Sequence, residues 1–307
     1  MNPTKGIIFK VSALFLFAIM ASLIKATSDH VPSWQAVFFR AFFAMPVILI
    51  WLAQRGELRT GLRVSNPWGH FWRGVIGTTA MAFGFAGLGL LPFPEVTAIG
   101  FASPLLIVIL AALLLGEKVR IFRLSAVFVG LIGVGIILYP RITVFGSGGA
   151  ESLALLGAVF VLASAAFRAL AQVHIRKLVQ TDQTSAIVFY FSLTSSLLGL
   201  CTIPLGWVMP TTTEVLFMIG AGLIGGIAQI LLTSGYRYAE ASLLAPFDYT
   251  SMIFAVVIGY FVFSEIPTSA TLTGSAIIIT AGIAIIWREH HLGLKRGKAR
   301  PSVTPQG

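Results

Sequence analysis

Residues 105–135, LLIVILAALLLGEKVRIFRLSAVFVGLIGVG, hold one long apolar run, a basic break at Lys118, Arg120 and Arg123, and the start of a second apolar run. Neither run alternates polar and apolar side chains, so neither is a barrel strand. A stretch of about 20 apolar residues crosses about 30 Å of hydrocarbon as a helix. In lipid such a stretch must be helical, because the backbone N–H and C=O groups have no water to bond.

Outward from this stretch the pattern recurs. Spans are predicted near 6–27, 33–53, 70–91, 94–115, 121–139, 152–173, 184–206, 214–236, 241–264 and 269–287. The breaks have local causes: Pro32, Asn66-Pro67, Pro92 and Pro94, and Gly146-Ser147-Gly148-Gly149. Hydrophobic residues make up 57% of the chain and charged residues 10%, against about 25% charge in a soluble domain. The reading is an all-α integral membrane protein with ten transmembrane helices. The first apolar segment follows Lys5 but leads directly into further spans, so it is expected to be a retained helix.

The net charge of +10 sits mostly in short loops, which points to a lipid surface and no nucleic acid. Lys5, Lys10, Arg55, Arg59, Arg63, Arg73, Lys118, Arg120, Arg123, Arg176, Lys177, Arg237 and the tail from Arg288 to Arg300 all fall on one set of loops and ends. The other set offers Arg141. Both termini are therefore expected to be cytoplasmic. The one cysteine, Cys201, allows no intrachain disulfide and no Cys-rich metal motif.

A shift of 148 residues pairs Glu117 with Glu265, Gly74 with Gly222, Gly77 with Gly225, Ala80 with Ala228, Gly87 with Gly235, Ser103 with Ser251 and Leu124 with Leu272. Five spans per copy make the second copy enter the bilayer from the opposite face, giving two inverted five-helix repeats. The expected units are 1–145, 150–290 and a basic, disordered tail at 291–307. Such halves favour alternating access.

Leu113-Leu114-Leu115-Gly116-Glu117 with Gly130, Gly133 and Gly135, and Ala245-Pro246, Phe263-Ser264-Glu265 and Gly274 to Gly282 in the second copy, resemble the EamA repeat of the drug/metabolite transporter superfamily. The second copy departs in carrying Met252 where the first has Pro104, with Pro246 lying earlier, so the place of the ninth helix's bend is left open. Leu244-Ala245-Pro246-Phe247-Asp248-Tyr249 is similar to the subgroup of riboflavin or S-adenosylmethionine carriers. The resemblance implies a secondary transporter of the bacterial inner membrane, without cofactor, moving a small polar metabolite through a cavity between the halves. Riboflavin uptake leads the candidates. S-adenosylmethionine exchange and amino-acid or drug export are alternatives, and a homodimer is left open as the assembly.

Candidate residues follow from polar groups at membrane depth. Arg40, in Val37-Phe38-Phe39-Arg40-Ala41-Phe42-Phe43, either faces the cavity or tethers a neighbouring helix end. Asp248 is the deepest carboxylate, a candidate for proton coupling, for anchoring substrate in the cavity, or for pairing with Tyr236 or Arg237. Tyr190 and Gln229 line the cavity or stitch helices together. Tyr249, with other aromatics, offers a face to a flat heterocycle. Lys25 and Asp29 have the i, i+4 spacing of a helical ion pair; Arg168 is expected to snorkel; Glu95, Glu117 and Glu265 read as helix-end charges, the last two also as caps of the next short turn.

No His-Glu-x-x-His, Gly-x-Ser-x-Gly or phosphate-cradling loop appears, and the eleven acidic residues lie mostly at span edges. An enzyme or ATP-driven reading is therefore not favoured. A membrane-embedded enzyme and a non-transporting scaffold are the competing classes.

Overall fold

A computed structural model describes residues 3–115, 121–142, 150–178, 181–238 and 244–298. Ten helical passes run through them, and the described residues contain no strand. They are α1 (Pro3–Lys25), α2 (Ser33–Gln54), α4 (Pro67–Leu90), α5 and α6 (Phe93–Gly100, Ala102–Leu115), α7 (Ile121–Ile142), α8 (Ala150–Leu178), α9 (Thr184–Leu200), α10 (Thr212–Tyr238), a 3-10 turn at Ala245–Tyr249 leading into α11 (Thr250–Phe263), and α12 (Ser269–Lys298). A short α3 (Leu58–Gly61) lies between α2 and α4. The last helix continues to Lys298, into the segment expected as a tail.

The breakers act where the sequence placed them. The Asn66 side chain accepts from the Gly69 N–H at 2.9 Å and Pro67 stands in the first helical turn, so α4 starts there. Pro92 and Pro94 separate α4 from α5. Ser264 closes α11 in the left-handed region, φ 55°, and the next N–H, that of Glu265, reaches the Gly259 carbonyl at 2.8 Å. This left-handed closure reverses the chain directly before Glu265, whose side chain reaches back over the bundle.

Two passes are broken, and at equivalent places. The fourth pass interrupts at Phe101, between α5 and α6, and the ninth passes from 3-10 to α-helix at Tyr249. The 148-residue shift makes these one position. Broken helices at the repeat interface are where transporters of inverted-repeat build place their sites.

Contacts between passes obey the same shift. α1 runs along α10, and its equivalent α8 runs along α4. α2 touches α10 as α9 touches α4, while α2 with α9 and α7 with α12 join equivalents directly. The glycines carry this at close range. A Cβ on Gly87 would stand 3.3 Å from the Gly157 carbonyl oxygen of α8, and one on its mate Gly235 would stand 3.2 Å from the Gly6 carbonyl oxygen of α1. Both glycines let helix backbones meet where lipid gives no hydrophobic drive for association. The fold is two inverted five-helix repeats interleaved about an axis in the membrane plane.

Candidate functional site

The end of the bundle holding Lys5 and the α2–α4 connection is called the basic end here. α1 begins there, and two ion pairs fasten it to the ninth pass. Near the basic end, Lys10 meets Asp248 at 2.6 Å, with the lysine side chain 3% exposed and the carboxylate 44%. At the other end, Lys25 pairs with Glu265 at 3.0 Å and donates to the carbonyls of Leu88 and Leu91 at 2.9 and 2.7 Å. The second carboxylate oxygen of Glu265 accepts the Phe93 N–H at 2.6 Å. One carboxylate of the second repeat thus holds α1 and the first turn of α5 together.

Two sequence expectations change here. Lys25 does not pair with Asp29, because α1 ends at Lys25 and the chain turns through residues 26–30, removing the helical i, i+4 geometry. Glu265 does not cap the turn after it; its bonds run across the bundle to the first repeat. Glu117, its mate, lies outside the described residues. Beside this end a cavity of about 230 Å³ opens between α1, α2 and α4, lined by Ser28, Val31, Ser33, Phe85 and Gly89 among others.

Deeper in the bundle stand two arginines. Arg40, on α2, is 7% exposed, and its Nε is buried without a hydrogen-bond partner. It tethers no helix end among the described residues. Instead it lies beside Gly225 of α10, with its guanidinium 5.9 Å from the centre of the Phe191 ring on α9. Arg73, on α4, reaches the same ring at 3.9 Å, and its Nε and Nη1 are also buried without partners. The Arg73 guanidinium feels the charge of Arg40. α2 and α4 of the first repeat and α9 and α10 of the second converge on this point, so both repeats build it.

Arg73 is a residue the sequence reading missed. The sequence places it among the loop cations of the basic end, yet it sits two turns inside α4, and the packing of α4 on α9 turns it inward. Arg168 also differs from expectation. Its Nη2 donates to Ser164 Oγ at 3.2 Å, one turn farther from the basic end, and Ser164 in turn donates to the Ala80 carbonyl at 2.6 Å. The side chain stays exposed but reaches toward α4 and α5, away from the basic end, because that polar acceptor is within reach.

The other candidates are distributed. The Tyr190 hydroxyl donates to the Leu62 carbonyl at 3.3 Å, and its ring packs on His70, so it stitches α9 to the α2–α4 connection. Gln229 borders a small cavity of about 20 Å³ between α2, α9 and α10, with Ile48, Trp51 and Ser185. Tyr249 is buried against Phe101, its ring edge to face at 5.2 Å. Asp248 is the partner of Lys10. None of these four touches the arginine pair among the contacts described.

A second polar cluster seals the basic end. Asp182 accepts the Ser65 N–H at 2.6 Å through Oδ1 and meets His70 Nε2 at 3.0 Å through Oδ2. Burial pushes the Asp182 carboxyl up, but the hydrogen bonds from Ser65 and His70 outweigh it and hold the group below the usual carboxylate range. The cluster ties the connection before α4 to the one before α9, again repeat to repeat.

Comparison with known proteins agrees with this architecture. The EamA-like transporter family matches twice, over residues 4–139 and 155–288. A pseudopaline exporter of Pseudomonas aeruginosa is 29% identical over 286 residues, covering 91% of this chain and 95% of that one. An S-adenosylmethionine uptake transporter of Rickettsia bellii is 29% identical over 280 residues, 90% and 92% of the two chains. A riboflavin transporter of Rhizobium johnstonii is 29% identical over 259 residues, 84% and 82%. A solved crystal structure superposes with a TM-score of 0.66 over 95% of this chain and 99% of the other, at 21% identity, and supports the fold. Two matched repeats spanning nearly all ten passes place the chain in the EamA-like transporter family, as a multi-pass membrane transporter of the drug/metabolite type.

Proposed function

We propose that the chain is a secondary transporter that moves a small polar metabolite across the bacterial inner membrane by alternating access, with the basic end and both termini in the cytoplasm. The observation that carries this reading is the pair of fasteners on α1. Lys10–Asp248 and Lys25–Glu265 join the same two passes, one from each repeat, fifteen residues apart along α1, which is roughly 22 Å at about 1.5 Å per residue. A molecule that opens to one side at a time needs a closure at each end, and these pairs supply two that can break separately. Asp248, as the more exposed carboxylate, is the candidate for proton coupling.

Riboflavin, S-adenosylmethionine and pseudopaline are the candidate cargoes drawn from the relatives, and the subgroup resemblance of Leu244 to Tyr249 puts riboflavin uptake first. The test is flux into proteoliposomes holding only this protein, with riboflavin, S-adenosylmethionine and amino acids offered under imposed proton gradients. Saturable movement of one compound is expected. A protein that reconstitutes folded and moves none of a broad metabolite panel in either direction is not a carrier.

A further inference from the structure

Burying a guanidinium at membrane depth is costly unless an acceptor or a counter-charge meets it. Lys25, Lys10 and Arg168 each have one: a carboxylate and two carbonyls, a carboxylate, and a hydroxyl. Arg40 and Arg73 have neither among the described residues, and they stand close enough to repel. Their only described neighbour in common is an aromatic ring, Phe191, whose face attracts a cation but accepts no hydrogen bond in the guanidinium plane. Three buried N–H positions, Arg40 Nε and Arg73 Nε and Nη1, remain unanswered. Arginine presents its donors in a flat fork that matches a carboxylate two bonds at a time. No acid among the described residues pairs with this fork.

We propose that Arg40 and Arg73 are the anchor for an ionised acidic group, in the first place a carboxylate, on the transported molecule, so that the cargo class is anionic or zwitterionic. The inference rests on the reading of the chain as a carrier, and it deepens that reading by setting the charge of the cargo. The carboxylate bridges α2 and α4 of one repeat over α9 of the other. Its arrival removes the repulsion between the two heads and satisfies their buried donors, so the cargo draws together helices from both repeats. An uncharged heterocycle such as riboflavin brings carbonyl acceptors to the donors but no charge to offset their repulsion, so it falls behind carboxylate-bearing molecules among the candidates.

The test uses the full chain in lipid nanodiscs. Thermal unfolding is followed while succinate, citrate and phthalate are added, with succinamide, phthalamide and riboflavin as uncharged counterparts. At least one acid is expected to raise the midpoint while its amide does not, and the effect should weaken with added salt. Arg40→Gln or Arg73→Gln should weaken that acid's binding about 10- to 100-fold, the usual scale for losing a charged hydrogen-bond partner. Arg73→Lys should retain part of it, and Arg59→Gln, on the exposed α3, should leave it unchanged. The same compounds are then assayed for flux in proteoliposomes. Acids that bind through both arginines but never cross would keep the anchor and end the carrier reading. Saturable riboflavin flux that survives both glutamine substitutions, or a folded protein that no acid stabilises, would overturn the anchor and leave transport standing.

Discussion

The rings of Phe101 and Tyr249 meet edge to face, centroids 5.2 Å apart and planes at 71°, and the two residues are the same position of the two repeats. A contact between equivalent residues lies on the axis that relates them. Each also marks the break in its own pass, one approached from the basic end and one from the opposite end. The pseudo-twofold axis therefore crosses the bundle at mid-depth, between two discontinuous helices, and any change that swaps the conformations of the repeats must pivot around this pair.

Tyr249 has little room to do so. A Cβ added at Gly282 of α12 would run into the Tyr249 hydroxyl. Gly282→Ala is therefore expected to destabilise the protein by about 1–3 kcal/mol, the usual cost of overpacking. Tyr249→Phe in the same chain should recover part of the loss by vacating that spot. Thermal unfolding in detergent of the two single variants and the double variant checks this, and additive effects would mean the two groups do not compete for space.

The Lys25–Glu265 pair should hold the end opposite the basic loops. Its side chains are 11% and 17% exposed, so removing one partner costs toward or below the low end of the about 3–5 kcal/mol seen for fully buried pairs. Glu265→Gln should lower the melting temperature and free the first turn of α5, while Lys25→Met with Glu265→Gln should restore much of the loss. Thiol labelling reads the opening directly. In a Cys201→Ser background, since Cys201 is exposed, a cysteine at Ser28 should react faster in the Glu265→Gln chain than in its parent. Equal rates would remove the pair from any gating role.

Asp182 gives the basic end a defined pH response. Its folded-state pKa lies below the ordinary carboxylate range, so its contribution is fully present above that range and is lost as pH falls through the lowered folded value. Acidification below about pH 4 should therefore loosen the contact between the connections before α4 and α9. Asp182→Asn is expected to lower stability at neutral pH and to flatten the acid limb of the midpoint-against-pH curve. A variant whose curve runs parallel to the parent's through the acid range would show that the carboxylate's charge is not what the cluster uses.

The passes were legible because lipid leaves a chain few choices: an apolar run of about 20 residues has to be a helix, and Pro67, Pro92 and Pro94 mark helix starts, where a missing N–H costs nothing. The 148-residue shift exposed the duplication through pairs such as Gly87 and Gly235, which the structure finds at matching helix contacts. Arg40 was visible as a charge in an apolar run. Arg73 was not, because its distance from Pro67 puts it near a loop in sequence while the rotation of α4 turns it inward, and rotation is a property of helix contacts. Phe191 was one of 24 phenylalanines with nothing local to mark it. The carboxylate partners of Lys10 and Lys25 lie more than two hundred residues away, beyond the reach of any spacing rule.

Asp248→Asn separates two roles for the carboxylate beside Lys10. The lysine side chain is almost wholly buried and the aspartate nearly half exposed, so the aspartate is the member that water can reach. If it carries a proton during transport, the asparagine variant should bind cargo normally but move it at a rate that no longer depends on an imposed proton gradient. If it serves only to neutralise Lys10, the gradient dependence should survive and the cost should appear as lost stability, which Lys10→Met in the same chain would largely repair. Flux measured at two external pH values, alongside melting temperatures of the parent, the single variant and the double variant, distinguishes these outcomes. Unchanged pH dependence in a folded Asp248→Asn protein would assign the carboxylate to holding α1 against the ninth pass.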